Sequence, residues 1–508
     1  MRASASPFAI CSCCILIALL AIGPDPARRA AAQSSEAWPK QQTIPGFADG
    51  TWPPILVADE NRMVHALASQ ALDGEEEETY IIYSRWTLAD GWSTPNDILL
   101  SPLKGRAEVM DALIDEQGVI HLAFFGGDNT AANIYYAQAE AAQAQRATSW
   151  SVTKLAGENA VSPPNAALLW EQQGRLILLY NGNSEGNGVY VTYSSDYGRS
   201  WSDAAVVSLS STADEDLWPY DISMALDGSG TIHAIWNTLN LGGQGRGVFY
   251  SRLGSGSNEW SAAIELSRND PVLDLGTMTP VIAAHGDTIV ALYNVYGKIV
   301  MRKSTDGGVS WSDAAEVFPR QVGVNGRLSL VVDGSGGVHV FFGQRITGNP
   351  DIHGMWHSTL QGDRWLEPEA VVSGPQVVDQ RGNRAFDPYA ARAVVSQGNT
   401  LLVTWRSDPG LRGNGVWYSH RTLDLPEQPV ESYPQPTATS APVATPTPVP
   451  VIAADLPPAP QMAVSESSTV AAVSQSSPAR LMILGLGPTV LLIAALIVIT
   501  RFSARKQR

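Results

Sequence analysis

Two eight-residue stretches decide the fold of this 508-residue chain: SSDYGRSW at 194–201 and STDGGVSW at 304–311. Both fit the pattern S-x-D-x-G-x-S-W. In each, the Asp can accept backbone N–H groups of its own turn, and the Gly can supply a position with positive φ. The final Trp can then pack over the turn. The same tight turn used twice predicts a fold that is built from repeated units.

The Trp that ends each stretch belongs to a longer series. Successive members lie 58, 51, 59, 51 and 54 residues apart: Trp92, Trp150, Trp201, Trp260, Trp311 and Trp365. A short aromatic segment, such as 80–84 or 248–251, precedes each Trp, and D-G or S-G turns between β-rich runs indicate hairpins. Each repeat therefore predicts four short antiparallel strands, which is the blade of a β-propeller.

The number of blades follows from the predicted inner strands. These begin near seven positions: Pro53, Val109, Pro164, Pro219, Pro280, Leu328 and Pro388. The seventh repeat lacks its outer strand, but 38–44 has the matching Trp and Ile at the other end of the chain. We predict an all-β, seven-bladed β-propeller, closed by pairing of 38–44 with 416–418, because closure removes two sheet edges. Six blades with a degenerate insertion is the alternative.

The two turns resemble the Asp box, or BNR repeat, of the sialidase superfamily. The resemblance covers residues 38–421, strictly in the third and fifth repeats and loosely elsewhere. It implies that the boxes lie between the third and fourth strands of a blade, on the face opposite the ligand site. The residues for which it implies a structural role are Asp196, Gly198, Trp201, Asp306, Gly308 and Trp311.

The resemblance also implies which catalytic and ligand-binding residues an active sialidase would need. Sialidases use a Tyr nucleophile, with a Glu beside it, an Asp as acid/base and three arginines that hold the sialic acid carboxylate. One of these arginines is expected in an R-I-P motif on the first inner strand, where this chain has Trp52-Pro53-Pro54-Ile55. The remaining candidates lie near predicted inner strands: Tyr389, Asp387 and Glu108 for catalysis, and Arg106, Arg327 and Arg384 for ligand binding.

A binding function fits more of the sequence than a catalytic one. Asn181, Asn237 and Asn294 each follow an aromatic residue, near polar, Gly-rich loops. Amide donors beside aromatic faces suit sugars. We therefore expect recognition of a glycan or glycoprotein. The alternatives are an exo-α-sialidase that cleaves terminal sialic acids and a propeller that docks another protein in an envelope assembly.

Four histidines lie six residues after an Asp: His65, His121, His233 and His339. The matching positions of the other repeats are aliphatic: Ile177, Val290 and Leu402. A position that accepts aliphatic residues is typical of a half-buried strand, and one His per blade is too widely spaced for a shared metal. We expect packing roles for these histidines, with no metal site and no cofactor.

Both ends of the chain are predicted to lie outside the propeller, which we assign to 33–424. Residues 1–32 have the basic start and short apolar run of a signal peptide; a lipoprotein anchor on one of their three cysteines is the alternative. Residues 425–480 are rich in Pro, Thr and Ser and predict a disordered stalk. The uncharged segment 481–500 is long enough for one transmembrane helix, and the basic tail 501–508 is expected in the cytoplasm.

The charge of the chain argues against nucleic acid as a partner. The formal net charge is −16 at pH 7, and an acidic protein repels phosphate backbones. The predicted signal peptide, transmembrane helix and basic tail indicate a single-pass protein of the cell membrane whose propeller lies outside the cytoplasm.

Overall fold

The computed structural model describes residues 37–428, except 48–49, 73–74, 129–130, 156–164, 172–174, 212–214, 269–278, 296, 322–325, 345–352, 375–387 and 407–414. The predicted signal peptide, almost all of the predicted stalk, the predicted transmembrane segment and the basic tail lie outside these residues. Within them, no helix is long and apolar enough to cross a membrane. The only helices among the described residues are two 3-10 turns, Ala141–Gln143 and Ala147–Ser149.

The strands of the first half start with β1 (Gln42–Thr43), which belongs to the last blade. Blade 1 holds β2 (Ile55–Ala58), β3 (Val64–Leu72), β4 (Glu75–Thr87), β5 (Gly91–Trp92) and β6 (Asn96–Leu99). Blade 2 holds β7 (Arg106–Ile114), β8 (Val119–Gly127), β9 (Ala132–Glu140) and β10 (Ser151–Lys154). Blade 3 holds β11 (Ala166–Trp170), β12 (Leu176–Gly182), β13 (Gly188–Ser194) and β14 (Ala205–Leu209).

The second half repeats the same arrangement. Blade 4 holds β15 (Leu217–Leu226), β16 (Ile232–Asn240), β17 (Gly245–Leu253) and β18 (Ile264–Glu265). Blade 5 holds β19 (Val281–His285), β20 (Thr288–Val295), β21 (Lys298–Ser304) and β22 (Ala315–Glu316). Blade 6 holds β23 (Ser329–Val332), β24 (Val338–Gln344), β25 (Gly354–Gln361), β26 (Arg364–Trp365) and β27 (Glu369–Ser373). Blade 7 holds β28 (Tyr389–Ser396), β29 (Thr400–Arg406), β30 (Val416–Thr422) and β1.

The blades form a closed ring. First strands of neighbouring blades contact each other in the order β2, β7, β11, β15, β19, β23, β28 and back to β2. These strands therefore surround a central tunnel, and the later strands of each blade lie progressively farther out. The prediction of a seven-bladed propeller is confirmed, and the six-bladed alternative is wrong.

The ring closes where the sequence predicted. β1 pairs antiparallel with β30, and Gln42 lies opposite Tyr418. The N–H of Ile44 donates to the carbonyl of Val416 at 2.8 Å. Ile44 is only 1% exposed. Blade 7 thus takes three strands from the C-terminal end of the propeller sequence and its fourth strand from the N-terminal end, which confirms the predicted closure.

The hydrophobic core lies between the blades. Seven clusters of buried apolar residues occur in the described part of the chain, and each combines two neighbouring blades. One of them packs Val64 and Trp86 of blade 1 against Leu402 and Val416 of blade 7. Because every interface has one such cluster, no blade can bury its apolar faces without both neighbours.

The four repeated histidines each join elements of their own blade. His233 Nε2 lies 3.1 Å from Asp227 Oδ2, and its Nδ1 lies 2.7 Å from the Tyr250 hydroxyl. Asp227 Oδ1 accepts the N–H of Thr231 at 2.8 Å. The same Asp–His–Tyr network recurs around His65 and His121, whereas in the network of His339 a second histidine, His357, replaces the Tyr. Each network ties the first turn of a blade to its third strand.

The box turns are held by their Asp side chains. Asp306 Oδ1 accepts the Ser304 hydroxyl at 2.8 Å and the Ser310 N–H at 2.9 Å. The hydrogen bond from the Ser310 hydroxyl to Oδ2, followed by these two bonds, lowers the pKa of Asp306 to about 2. Asp196 accepts the equivalent bonds from Ser194 and Ser200. Both turns follow the third strand of their blade.

Each box also contacts the preceding blade. Trp311 lies edge-on to Tyr250 of blade 4, with ring centroids 4.8 Å apart, and Trp201 meets Tyr136 of blade 2 in the same way at 5.0 Å. A Cβ added to Gly308 would overlap the Tyr250 hydroxyl. A box of one blade thus packs on the Asp–His–Tyr network of the blade before it. That the box residues are purely structural stays a prediction.

Replacing Gly308 tests this contact between blades. Gly308 (φ +76°) and Gly307 (φ +66°) both adopt a left-handed backbone, but only Gly308 lacks room for a Cβ. We expect Gly307→Ala to lower the free energy of unfolding by about 1 kcal/mol through strain. Gly308→Ala should cost about 3 kcal/mol, because overlap adds to strain.

The measurement is urea unfolding of both variants and of Gly308→Ala combined with Tyr250→Phe. Removing the hydroxyl should recover about 1 kcal/mol of the Gly308→Ala loss, seen as a coupling energy in the double-mutant cycle. Equal costs for Gly307→Ala and Gly308→Ala would contradict the packing described above.

Candidate functional site

The direction of the strands separates two faces of the propeller. We call the side where the first strands begin the front face. The third strand of a blade runs parallel to the first, so its end, and the box turn that follows it, lie on the back face. Asp196 and Asp306 therefore lie across the propeller from the starts of the first strands.

Two adjoining cavities occupy the front of the tunnel. The outer cavity has a volume of about 230 Å³, and its charged and aromatic lining comprises Trp52, Arg106, Glu108, Tyr220, Arg327 and Arg392. The inner cavity, of about 260 Å³, has as its charged lining Asp111, Asp221, Arg327 and Arg392. Arg327 and Arg392 line both cavities and therefore form the boundary between them.

Arg106 is positioned by its own blade. Its guanidinium lies 2.9 Å from Glu108 Oε1 and 5.5 Å from the ring centroid of Phe125. Burial raises the pKa of Glu108, and the charge of Arg106 partly offsets that rise. The pair places one half-buried arginine and one carboxyl group of raised pKa at the wall of the outer cavity.

Arg327 is held from across the tunnel. Its Nη2 donates to the Tyr220 hydroxyl at 2.8 Å and lies 3.2 Å from Asp221 Oδ1. Arg327 lies two residues before the first strand of blade 6, whereas Tyr220 and Asp221 belong to the first strand of blade 4. Contacts from a non-neighbouring blade thus fix the guanidinium at the boundary of the two cavities.

Arg392 and two carboxylates share the inner cavity. Burial lowers the pKa of Arg392 to about 10, and the charge of Arg327 acts in the same direction. Burial raises the pKa of Asp111 to about 6, although Oδ2 accepts the N–H of Leu168 at 2.8 Å. Burial likewise raises the pKa of Asp221, and the charges of the two arginines oppose that rise. The protonation state of each charged side chain in this cavity therefore depends on the charges of the others.

Irregularities of the backbone orient several of these side chains toward the tunnel. The pairing register shifts in β15 between Tyr220 and Ser223, and in β28 between Tyr389 and Arg392. Asp221 and Ala390 have positive φ of 48° and 52°. Regular alternation would send the consecutive Tyr220 and Asp221 to opposite sides of the sheet, yet both line the tunnel. Bulges and strained residues of this kind are common beside functional sites.

An aromatic side chain lies at the rim of the outer cavity. Trp52 is 44% exposed. The guanidinium of Arg406 lies 4.2 Å from its ring centroid. Trp52 therefore offers apolar surface next to the three arginines of the outer cavity.

The structure brings three of the sequence candidates together, since Arg106, Glu108 and Arg327 all line the outer cavity. Arg384 and Asp387 lie outside the described residues, and so does the side chain of Tyr389. Four residues that line the cavities were not predicted from the sequence: Asp111, Tyr220, Asp221 and Arg392. A signal was present, because a charged residue follows the same Pro-Tyr pair in PYDIS (219–223) and PYAAR (388–392).

Comparisons with known proteins identify a fold but no close relative. No family model matches the sequence, and no curated protein matches it. A polysaccharide lyase, an ulvan lyase bound to a GlcA(1-4)Rha3S fragment, shares 14% identity over 74% of this chain and 95% of its own, with a TM-score of 0.50. A protein of unknown function from Dyadobacter fermentans shares 13% identity over 76% and 98%, with a TM-score of 0.45. A sialidase from Streptococcus pneumoniae shares 11% over 75% and 70%, with a TM-score of 0.39. The likeness to the lyase shows a common fold.

Proposed function

We propose that this chain is a glycan-recognising propeller whose outer cavity binds the carboxylate of an acidic sugar. One observation carries the proposal. Arg106, Arg327 and Arg392, from three blades, line one cavity of about 230 Å³ beside the exposed Trp52. That cavity lies in a chain whose net charge is −16.

The balance of charge in the outer cavity favours an anion. Its lining has three arginines and one carboxyl group, Glu108, and the pKa of Glu108 is raised. A guanidinium carries five N–H donors in a planar fork that matches a carboxylate, and it can hold a protein carboxylate and a ligand carboxylate together. Arg327 and Arg392 also line the inner cavity beside Asp111 and Asp221, so the excess of positive charge lies toward the outer cavity, where it attracts anions.

The shape and chemistry of the surroundings favour a sugar. The outer and inner cavities are contiguous, and small-molecule sites are concave spaces of this scale, lined by aromatic faces and a few polar groups. Trp52, which is 44% exposed, supplies an aromatic ring on which the C–H side of a sugar can pack, on the face that Arg406 does not cover. The ulvan lyase of similar fold is bound to a saccharide that contains glucuronic acid, which belongs to the ligand class proposed here.

We further propose that the predicted stalk, 425–480, and the predicted transmembrane segment, 481–500, hold the propeller outside the cytoplasm. The runner-up activity is an exo-α-sialidase. Against it, the start of the first inner strand, Trp52-Pro53-Pro54-Ile55, carries no arginine. Docking of another protein in an envelope assembly is the other alternative.

Calorimetric titration of the full chain tests the proposal. We expect a glucuronic acid disaccharide to bind, with an affinity that falls as salt rises, and lactose not to bind. Arg327→Lys keeps the charge but loses the fork, so affinity should fall about tenfold; Arg327→Gln should cost about 30- to 100-fold. The matched control is Arg320→Gln, because Arg320 is 83% exposed and lies outside the tunnel.

Two results would overturn this proposal. Equal binding of lactose and the acidic disaccharide would show that the outer cavity does not bind the ligand carboxylate. An Arg327→Gln variant with unchanged affinity would show the same. Hydrolysis of a fluorogenic sialoside by the full chain, lost on Arg327→Gln, would instead establish the runner-up.

A further inference from the structure

One oxygen of Asp221 has no partner in the described structure. The residue is 8% exposed and lines the inner cavity. Its Oδ1 lies 3.2 Å from Arg327, whereas its Oδ2 is buried and accepts no hydrogen bond from the described residues. A buried polar atom without a partner is costly and rare in native proteins. Oδ2 has almost no accessible surface, so a ligand in the inner cavity, which Asp221 lines, can supply the missing hydrogen bond once the side chain turns toward that cavity.

The backbone of Asp221 is held by a neighbouring blade. Its φ is 48°, in the left-handed region, which Asp enters more readily than most residues. The next N–H, that of Ile222, donates to Asn165 Oδ1 of blade 3 at 2.6 Å. The backbone position of Asp221 is thus set by the scaffold before any ligand arrives.

We infer that Asp221 selects, among carboxylated sugars, those with a free hydroxyl on the carbon next to the carboxylate-bearing carbon. The inference rests on the function proposed above. Arg327 receives the ligand carboxylate, and Asp221 Oδ2 accepts the neighbouring hydroxyl. Because the Arg327 guanidinium lies 3.2 Å from the other oxygen of Asp221, the two ligand groups must be close together on the sugar.

This geometry narrows the substrate class. A terminal uronic acid carries its carboxylate on C5 and a free hydroxyl on C4. In a sialoside, the carboxylate-bearing carbon has a methylene on one side and the glycosidic oxygen on the other. The arrangement of Arg327 and Asp221 therefore fits a uronic acid at the non-reducing end of a glycan better than a sialic acid.

The test compares three probes on the full chain by calorimetry: methyl β-D-glucuronide, its 4-deoxy analogue and methyl β-D-glucoside. The glucuronide should bind about 10- to 100-fold more tightly than the 4-deoxy acid, because a charge-assisted hydrogen bond is lost in the analogue. The glucoside, which has no carboxylate, should not bind.

Asp221→Asn is the decisive variant, since Asn tolerates a left-handed backbone as Asp does. Its amide oxygen can face Arg327, which leaves an N–H₂ donor where Oδ2 was. The N–H₂ can still donate to the ligand hydroxyl, so only the charge assistance of the bond is lost. We expect the preference for the glucuronide over the 4-deoxy acid to shrink to about two- to fivefold, while the affinity of the 4-deoxy acid itself stays within about twofold. A melting temperature close to that of the unchanged chain controls for folding.

The outcomes separate this inference from the function on which it rests. Equal losses for both acids in Asp221→Asn would mean that Asp221 only holds Arg327, and the inference would be wrong. Equal binding of the glucuronide and its 4-deoxy analogue by the unchanged chain would also overturn it, whether or not the variant folds. If neither acid binds the unchanged chain, the proposed function fails as well.

Discussion

Deleting residues 33–46 should lower the melting temperature of the propeller by about 10 °C or more. The deletion removes β1 and the buried Ile44, and with them the fourth strand of blade 7. It also removes Trp38, whose ring lies 5.7 Å from Phe341 and 5.4 Å from His357, centroid to centroid. Each large apolar side chain contributes about 1.5–3 kcal/mol when buried, and each kcal/mol shifts the melting temperature of a large domain by about 2 °C.

Two point variants show whether the loss comes from the closing strand itself. Ile44→Ala should cost about 2–4 kcal/mol, because the site is almost fully buried and cannot collapse around a smaller side chain. Lys40→Ala, in the same segment but with an exposed side chain, should leave the melting temperature unchanged. If differential scanning calorimetry gives the same transition with and without residues 33–46, blade 7 does not need its fourth strand.

Replacing Arg392 with Met should lower the free energy of unfolding by about 3–5 kcal/mol at pH 8. Arg392 lines the inner cavity together with Asp111 and Asp221, and both carboxylates favour its charged form. Without Arg392, Asp221 keeps Arg327 at 3.2 Å, but Asp111 loses the cation that opposes its desolvation. Leaving a buried charge uncompensated in a medium of low polarity is the costly step. Urea unfolding measures the loss.

The size of that loss should depend on pH. The folded pKa of Asp111, about 6, is above its ordinary value of 3.8. The folded chain therefore binds a proton more readily than the unfolded chain, and stability falls as pH rises from about 4 through 6. Without Arg392 the pKa values of both carboxyl groups rise further, which extends this decline to higher pH. The variant should thus lose much less at pH 5 than at pH 8.

A companion change checks the cause. Adding Asp111→Asn to Arg392→Met removes the carboxylate that has lost its cation and should restore part of the stability at pH 8 but little at pH 5. An Arg392→Met variant with the same loss at both pH values would indicate that the side chain acts by packing rather than by charge.

The fold was predictable because each blade repeats the same outer-strand pattern. The Trp and Ile of 38–44 match that pattern, and the seventh repeat lacks it, so closure followed from counting. Apart from that closing pair, side-chain contacts between strands and between blades were not predictable. The six-residue offset from Asp227 to His233 is visible in the sequence, but the third member, Tyr250, depends on the register of β16 with β17.

The candidate site was predictable only in part, for a related reason. Arg106 and Arg327 stand at or just before the start of a first strand, where side chains of any residue reach the tunnel mouth. Asp221 and Arg392 lie inside first strands, where regular alternation decides which side chains face inward. Their strands are bulged, and a bulge resets that alternation. A single sequence does not reveal the position of a bulge, so these side chains could not be assigned to the tunnel.

The closing strand has a consequence for how the protein is made. Gln42 and Tyr418, which pair in the finished blade, are separated by 376 residues. At about 5–20 residues per second, the ribosome takes roughly 20 to 75 s to synthesise the chain between them. Throughout that time the closing segment lacks its partner strand in blade 7, and contacts between distant parts of a chain form slowly. The closing segment of one nascent chain can therefore reach the unfinished last blade of another on the same messenger, and the result is an exchanged dimer rather than a sealed ring.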